Sequence, residues 1–317
     1  MQRDELFTAR SNTEFICRYM NEPKIGKSEV CAVLVTYFPS AESAKAIACL
    51  APQVDKILIV DNGSSPDSFQ NIQPIIEKLN ITLIRNNKNI GIAAALNLGL
   101  QFAKREKYPW LVTMDQDSIP AESMIDEMLS IQQSFPAPKR IGLITPTHIN
   151  LATSTRYDSR HSFAKSTSWR LLSTAMTSGN LVCVCAASEI GGFDNKLFID
   201  YVDHDFCFRL RRSGHHIVEA SNAILSHSLG NTTVHSIFWL RPRTTNHSTL
   251  RRYYITRNRI YIWQKNWKLD PLWILRDIRS FILESLFIIL WESSKIKKFS
   301  AIVRGATDAI FRNNHSN

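Results

Sequence analysis

Short apolar segments alternate with helical segments between residues 30 and 115, and this alternation restricts the fold more than any other feature. The apolar segments are rich in β-branched residues and almost continuously hydrophobic, as in strands that are covered on both faces. We therefore predict an α/β fold with a mostly parallel central sheet flanked by helices. The predicted strands are 30–36, 56–60, 81–84 and 110–114, and the predicted helices are 41–50, 68–79 and 92–105.

The pattern changes after residue 120. Strands are predicted at 141–145 and 181–186, with a polar loop at 150–170 between them, and helices at 248–265 and 271–291. We divide the chain into a leader (1–28), a main domain (29–238) and a basic, helical C-terminal region (239–317). The first residues lack the apolar core of a signal peptide, which predicts a cytoplasmic protein.

The net charge of +10 comes from the C-terminal region, which has 15 Lys and Arg against 5 Asp and Glu from Trp239 onward. A neutral body with a basic tail predicts an anionic partner, which could be nucleic acid, a lipid surface or a diphosphate. Four charged residues inside 271–291 make a bilayer-spanning helix unfavourable. The sequence leaves open whether this helix lies on a membrane or docks on the protein.

Two carboxylates follow the predicted strand 110–114, in Asp115-Gln116-Asp117. Acids at the end of a buried strand are costly unless a cation compensates them. Spaced two residues apart, they can converge on Mg²⁺ or Mn²⁺ with coordination positions left for substrate phosphates. The alternative is a simple acidic turn.

Polar residues also follow the other predicted strands, at the edge where ligands bind in open α/β sheets. Asp61 could accept a hydrogen bond from the imide N–H of uracil or thymine, with Tyr37 beside the base, or could instead close an Asx turn. Asn89 and Gly91 precede a predicted helix whose first N–H groups could bind phosphate. Neither a Walker loop nor a GxGxxG motif is present, which disfavours kinases and dinucleotide-dependent dehydrogenases.

A second acidic cluster contains Asp200, Asp203 and Asp205. One of these carboxylates could act as a general base, or the cluster could stabilise a helix N-terminus. His227 follows another apolar segment, where a single histidine is more often structural. Arginines and tyrosines at helical spacing around 250–258 could bind a diphosphate.

Taken in order, these segments resemble family 2 glycosyltransferases of the GT-A fold, and within them the bacterial rhamnosyltransferases of surface-polysaccharide synthesis. The resemblance spans roughly residues 30 to 265. The motifs that carry it are Val35-Thr36-Tyr37, Asp61-Asn62-Gly63-Ser64, Asn89-Ile90-Gly91-Ile92-Ala93, Asp115-Gln116-Asp117-Ser118, Ser178-Gly179-Asn180, Phe198-Ile199-Asp200-Tyr201-Val202-Asp203, and Arg252-Tyr253-Tyr254 through Arg257-Asn258.

The resemblance implies a role for each matching residue. Asp203 would be the catalytic base, although Val202 replaces the Glu that precedes this Asp in many relatives. A divalent metal, Mg²⁺ or Mn²⁺, would bind Asp117, Asp115 and His227. The nucleotide-sugar would contact Thr36, Tyr37, Asp61, Asn89, Gly91, Asp115 and Arg257, and the acceptor would contact Ser178, Gly179, Asn180 and Asp200.

The implied activity is an inverting transfer of L-rhamnose from dTDP-L-rhamnose to a hydroxyl of a lipid-linked or surface-polysaccharide acceptor. The expected partners are the nucleotide-diphospho-sugar donor, the glycan or lipid-linked acceptor and an anionic membrane, at the inner face of the cytoplasmic membrane. The alternatives are a related hexosyl- or galactofuranosyltransferase using a UDP-sugar, and a non-catalytic membrane- or nucleic-acid-binding protein of the same fold. The sequence contains no recognisable module that would support a nucleic-acid-binding role.

Overall fold

A computed structural model describes residues 26–150, 168–227, 233–234 and 243–311. Most of the predicted leader and of the predicted polar loop lies outside the described residues. Nine strands form one sheet in the order β3-β2-β1-β4-β8-β6-β9-β5, with β7 paired to β9, and β10 and β11 form a separate pair. The strands are β1 (Val30–Thr36), β2 (Lys56–Asp61), β3 (Thr82–Arg85), β4 (Trp110–Asp115), β5 (Ser118–Pro120), β6 (Ile141–Asn150), β7 (Trp169–Leu172), β8 (Asn180–Cys183), β9 (His216–His227), β10 (Thr233–Val234) and β11 (Arg243–Thr244).

The first half of the sheet is parallel, and its strands were predicted to within one residue at each end. Strand β1 is buried along its whole length because helices cover both faces of the sheet. It pairs with β2 and β4 in a register that places Thr36 opposite Asp61, and Val35 opposite Asp115. The carboxyl ends of the three strands therefore meet at one edge of the sheet.

The second half of the sheet is mixed. Strand β8 runs antiparallel to both β4 and β6, whereas β6 and β9 are parallel. The predicted strand 181–186 stops at Cys183, where the thiol accepts the N–H of Ala186 and a short helix begins. Strand β9 is twelve residues long, and its last residues pair with β5, which follows directly on the acidic segment.

Helices cover the sheet and form the C-terminal region. The predicted helix 68–79 is two short helices, because Pro74, in the first turn of the second one, has no N–H to donate to a continuous helix. The helices are α1 (Ala41–Leu50), α2 (Pro66–Phe69), α3 (Gln73–Lys78), α4 (Ile92–Arg105), α5 (Met124–Ser134), α6 (Val184–Glu189), α7 (Val202–Arg212), α8 (Thr249–Asn266), α9 (Pro271–Trp291) and α10 (Lys295–Phe311).

Helix α9 docks on the protein with one face and exposes the other. Ile274 and Ile288 are buried against the protein, and Glu284 pairs with two arginines of α8. Just beyond α9, Glu292 is fully buried and accepts hydrogen bonds from Arg252 and Lys298. Within the part of the chain that the structure describes, no helix is long and apolar enough to cross a bilayer.

Candidate active site

A cleft of about 780 Å³ lies at the edge of the sheet where β1, β2 and β4 end. It contains the ends of these strands, the start of α4, the end of β9, and the segment that leads into α8. The lining residues are Val35, Thr36, Tyr37, Asn62, Asn89, Gly91, Ile92, Asp115, Gln116, Asp117, Phe198, Ile199, His227, Thr245, Asn246, His247, Ser248 and Arg251.

Hydrogen bonds fix the acidic segment at the end of β4. The side chain of Gln116 accepts the N–H of Tyr37 at 2.9 Å and donates to the carbonyl of Tyr37 at 3.0 Å. The N–H of Asp115 donates to Ser178 Oγ at 3.1 Å. With Gln116 tied to the neighbouring strand end, Asp115 and Asp117 both line the cleft.

Asp115, Asp117 and His227 each place one ligand atom within 4.8 Å of the others. The pairing of β5 with β9 brings His227 here, since it places Ser118 directly opposite His227. His227 Nδ1 lies 2.8 Å from Ser118 Oγ and 3.7 Å from Asp117 Oδ1. Ser178 Oγ in turn donates to Ser118 Oγ at 2.8 Å, so a chain of hydrogen bonds orients the imidazole ring.

The electrostatics of this group favour a cation. The pKa of Asp115 is raised to about 6, mainly because the Asp115 carboxyl group is buried and also because Asp117 and Asp203 are negatively charged. His227 and Arg251 act in the opposite direction and lower it. Asp117 remains half exposed at the mouth of the cleft. Two carboxylates and an imidazole are a donor set that suits a divalent ion such as Mn²⁺, so the three residues fit the predicted metal.

The structure separates the residues expected at the nucleotide base. Thr36 and Tyr37 line the cleft, but the carboxylate of Asp61 does not. Asp61 is fully buried. It accepts hydrogen bonds from Thr36 Oγ1 at 3.0 Å and the N–H of Ser64 at 3.2 Å, and lies 3.5 Å from Arg85 Nε. Asp61 thus forms the Asx-type turn that the sequence also allowed, its contact with a base stays a prediction, and Asn62, one residue later, lines the cleft.

The start of α4 lines the cleft, and the N–H groups of Gly91 and Ile92 there donate within the protein. The N–H of Gly91 donates to Asn89 Oδ1 at 2.9 Å, and that of Ile92 to the carbonyl of Phe198 at 2.8 Å. Gly91 has φ +87°, and a Cβ there would lie 2.7 Å from the Phe198 carbonyl oxygen. Close packing thus requires glycine at this position, and the phosphate contact expected at the start of this helix stays a prediction.

Ser178, Gly179 and Asn180, expected at the acceptor, lie behind the cleft. Ser178 and Asn180 are buried, and the N–H of Gly179 donates to the carbonyl of Thr113 at 2.7 Å. This segment leads into β8, which pairs with β4, and none of the three residues lines the cleft, so their contact with an acceptor stays a prediction. Ser178 instead positions two residues of the site from behind the cleft, since its hydroxyl accepts the N–H of Asp115 and donates to Ser118 Oγ.

Asp200 and Asp203 flank the start of α7. Asp200 and Tyr201 are both in the left-handed region, with φ 61° and 63°, a conformation that costs about 1 kcal/mol or more for a residue other than glycine. The Asp200 carboxylate forms two hydrogen bonds with Arg251, of 2.9 and 3.0 Å. Two hydrogen bonds to α8 thus hold the turn that precedes Asp203, whose side chain is partly exposed.

Arg251, rather than Arg257, is the arginine of the cleft. Arg257 donates to the carbonyl of Lys196 at 2.8 Å and to Asn258 Oδ1, and lines a different, smaller cavity. The arginines predicted to lie together on one face of the helix are therefore in different environments. Arg251 lines the cleft, whereas Arg252 is buried and paired with two glutamates. Helical spacing alone did not distinguish the faces of α8.

The segment before α8 was missed by sequence reasoning. Thr245, Asn246, His247 and Ser248 line the cleft, although no motif or periodicity marks them. Burial lowers the pKa of His247 to about 4, with a further lowering by Arg251 and Arg252, so its imidazole is neutral at pH 7. A long-range contact of this kind has no local sequence signal.

Comparison with known proteins agrees with this architecture. Residues 31–138 match the model of glycosyl transferase family 2. The chain is 25% identical over 295 residues to dTDP-rhamnosyl transferase RfbF of Shigella flexneri, a match that covers 89% of this chain and 96% of that protein.

Two solved structures share the fold. Mannosyltransferase PcManGT from Pyrobaculum calidifontis, in complex with GDP-Man and Mn²⁺, superposes with a TM-score of 0.55 at 10% identity, over 95% of this chain and 94% of that one. Residues 1–349 of TarS from S. aureus, in complex with UDP, give 0.50 at 11% identity, over 90% and 73%. Residues 31–138 thus match glycosyl transferase family 2, the chain has the GT-A fold of these solved transferases, and over most of its length it is similar in sequence to a rhamnosyltransferase.

Proposed function

We propose that the protein transfers L-rhamnose from dTDP-L-rhamnose to a hydroxyl of a lipid-linked or surface-polysaccharide acceptor, with inversion at the anomeric carbon. The observation that carries the proposal is the convergence of Asp115, Asp117 and His227 at the mouth of a cleft large enough for a nucleotide-sugar. The choice of donor is supported by the similarity to a dTDP-rhamnosyl transferase.

The donor would lie along the cleft, with its diphosphate near Asp117 and its nucleoside near the ends of β1 and β2. Arg251 and a metal ion bound by Asp115, Asp117 and His227 are the two cations expected to contact the diphosphate. A divalent ion held by Asp115, Asp117 and His227 would offset charge on the leaving diphosphate. Tyr37, which is nearly half exposed, offers a ring face to the base.

Asp203 is the proposed general base. Among the described residues it has no arginine or lysine partner, and Nδ1 of His204 lies 4.0 Å from Asp203 Oδ1. Asp200 is instead engaged by Arg251, and Asp205 is fully buried between Arg209 and Lys265. An unpaired, partly exposed carboxylate can take the proton of an acceptor hydroxyl as it attacks the anomeric carbon. A single displacement inverts the configuration.

A donor panel tests the proposal directly. The protein is incubated with acceptor glycans and dTDP-rhamnose, UDP-glucose, UDP-galactose or UDP-galactofuranose, and release of the nucleoside diphosphate is measured. We expect turnover with dTDP-rhamnose above that with every UDP-sugar. Turnover with a UDP-sugar alone would replace the donor in this proposal, and no turnover with any donor would favour a binding role.

Metal affinity should rise with pH. Because the pKa of Asp115 is raised to about 6, its carboxyl group holds a proton below that pH, and a metal must displace it. Mn²⁺ affinity is expected to fall by up to about tenfold for each pH unit below the pKa and to level off above about pH 7. Calorimetric titrations in buffers of different ionisation enthalpy measure both affinity and proton release. An affinity that does not change between about pH 5 and pH 7 would contradict this coupling.

We also propose that the exposed face of α9 and α10 contacts an anionic membrane. Ile282 is 61% and Ile296 is 87% exposed, which is unfavourable in water. Exposed basic side chains border the apolar ones and complement anionic lipid. The exposed apolar residues are Leu272, Leu275, Ile282, Leu283, Leu286, Ile289, Leu290, Ile296, Phe299, Val303, Ile310 and Phe311, and the exposed basic ones are Arg276, Arg279, Lys295, Lys297 and Arg304.

Charged substitutions on this face should weaken membrane binding. Each buried isoleucine contributes about 1.5–3 kcal/mol in an apolar environment. Ile282→Glu combined with Ile296→Glu is therefore expected to lower the partition coefficient on vesicles containing phosphatidylglycerol by about tenfold or more. Leu171→Glu, at an exposed leucine of β7, is the matched control and should bind as wild type. Equal binding by all three proteins in co-sedimentation would rule out this face.

A further inference from the structure

A second cavity, of about 320 Å³, lies beside the donor cleft. It is open to solvent and is bordered by the turn before α7, the first residues of α7, and one face each of α8 and α9. We call it the acceptor cavity and define it by its lining residues Asp200, Tyr201, Asp203, His204, Ile255, Arg259, Asp277 and Glu284. The volume falls at the lower end of the ~300–1,000 Å³ range of small-molecule sites.

One ion pair separates the two spaces. Arg251 lines the donor cleft, whereas Asp200 lines the acceptor cavity. The two side chains are joined by hydrogen bonds of 2.9 and 3.0 Å. A molecule in the acceptor cavity would therefore be separated from a donor in the cleft by this ion pair. Asp203 lies on the cavity side of the pair.

The charges of the acceptor cavity disfavour anions. Four carboxylates line it, with Arg259 as the lining cation. Three of the four are paired with arginines: Asp200 with Arg251, Asp277 with Arg259 at 3.2 Å, and Glu284 with Arg252 and Arg259. Since the Asp203 carboxylate is left without an arginine or lysine partner among the described residues, the site carries an excess negative charge and repels phosphate or carboxylate groups.

The remaining surfaces suit a polyol. The His204 ring is partly exposed, and packs edge-on between Tyr201 and Trp273 with centroid distances of 5.0 and 5.1 Å. Ile255 adds apolar surface. Carboxylate oxygens accept hydrogen bonds from hydroxyls, and ring faces pack against the C–H groups of a sugar.

We propose that the acceptor cavity binds the uncharged terminal sugar ring of the acceptor and presents one of its hydroxyls to Asp203. The inference rests on the proposed glycosyl transfer. It replaces the buried segment 178–180 as the acceptor site, and it excludes uronic acids and phosphorylated sugars at the terminal position. Helix α9 carries Asp277 and Glu284 on the face that lines the cavity, and Ile282 on its opposite, exposed face.

Binding of simple glycosides tests the proposal without a known acceptor. The probes are methyl α-L-rhamnoside, methyl β-D-glucoside and methyl β-D-galactoside, with methyl β-D-glucuronide as the charged member. Their binding to the full chain with Mg²⁺ and dTDP is measured by saturation-transfer NMR, and dTDP binding is measured separately by calorimetry. We expect at least one neutral probe to bind, and the glucuronide to bind about tenfold more weakly or not at all.

Filling the cavity should remove this binding alone. His204→Trp is expected to weaken the neutral glycosides by about tenfold or more through steric exclusion, with dTDP affinity unchanged. Tyr261→Trp, which fills a different cavity on α8, is the matched control and should behave as wild type. In the wild-type protein the His204 ring resonances should also shift on addition of the glycoside, while those of His216 should not, and this readout is independent of how well the variant folds.

The outcomes separate this inference from the proposed function. Absence of dTDP binding in the wild type would count against the donor, whatever the glycosides do. Normal dTDP binding would overturn the acceptor cavity if no neutral glycoside binds, if the glucuronide binds as well as the neutral probes, or if binding survives His204→Trp and leaves the His204 resonances unmoved.

Discussion

Replacing Asp203 with asparagine is expected to lower kcat by about 10²–10⁴-fold, the usual contribution of a general base, while donor binding stays within about twofold of wild type. Asparagine keeps the size of the side chain and can still accept the N–H of His204, which donates to Asp203 Oδ1 at 2.8 Å. It cannot accept a proton from a hydroxyl. Steady-state kinetics measures kcat, and calorimetry with the nucleotide measures donor binding.

The control is Asp126→Asn, at an exposed aspartate in the first turn of α5. It makes the same chemical change far from the cleft and should leave kcat unchanged. Asp200→Asn separates the two candidate bases, since Asp200 is paired with Arg251. Normal turnover by Asp203→Asn, with the loss appearing in Asp200→Asn instead, would transfer the role of base to Asp200.

The parallel half of the fold was predictable because its signal is local. A strand buried on both faces must be apolar throughout, and β1, β2 and β4 satisfy this condition along nearly their whole length. The second half was less predictable. Strand β9 is mostly buried in its first half and partly exposed at its end. One of its edges pairs with β6 throughout, whereas the other pairs with β7 near the start and with β5 at the end, so the two halves lie in different environments.

The candidate site was predictable where it lies at a strand end, and less so elsewhere. Asp115 and Asp117 were found from their position after an apolar strand. His227 was placed beside them by resemblance, and the physical cause of its position is the pairing of Ser118 with His227 across 109 residues of sequence. No pattern within one segment predicts such a pairing.

The roles predicted for several buried polar residues stay predictions. Asp61, Ser178 and Asn180 are polar residues at the expected edge of the sheet, but all three are buried. Asp61 and Ser178 form hydrogen bonds inside the protein, where an unpaired donor or acceptor is costly, whereas the buried Asn180 Oδ1 has no partner among the described residues. A sequence shows that a residue is polar, but not whether its hydrogen bonds go to a ligand or to the fold. Arg251 and Arg257 illustrate the same limit on one helix.

Replacing Asp117 with asparagine is expected to abolish most of the metal affinity and, with it, activity. Asp117 is the most exposed of the three candidate ligands and lies 3.7 Å from His227 Nδ1. Loss of a residue that only supports a ligand typically costs about 10–100-fold in affinity, so loss of the ligand itself should reach or exceed that range. Titration with Mn²⁺, followed by the electron paramagnetic resonance of the free ion, measures the affinity.

Ser118→Ala calibrates this result, because Ser118 touches the imidazole of His227 but not the proposed ion. It should weaken Mn²⁺ by about 10–100-fold, which is no more than the loss in Asp117→Asn, and Asp126→Asn should leave the affinity unchanged. Unaltered Mn²⁺ affinity in Asp117→Asn, with the protein folded by circular dichroism, would show that this carboxylate is not a metal ligand. Activity retained without any added divalent ion, in the presence of a chelator, would remove the metal from the mechanism altogether and leave Arg251 as the cation that meets the diphosphate.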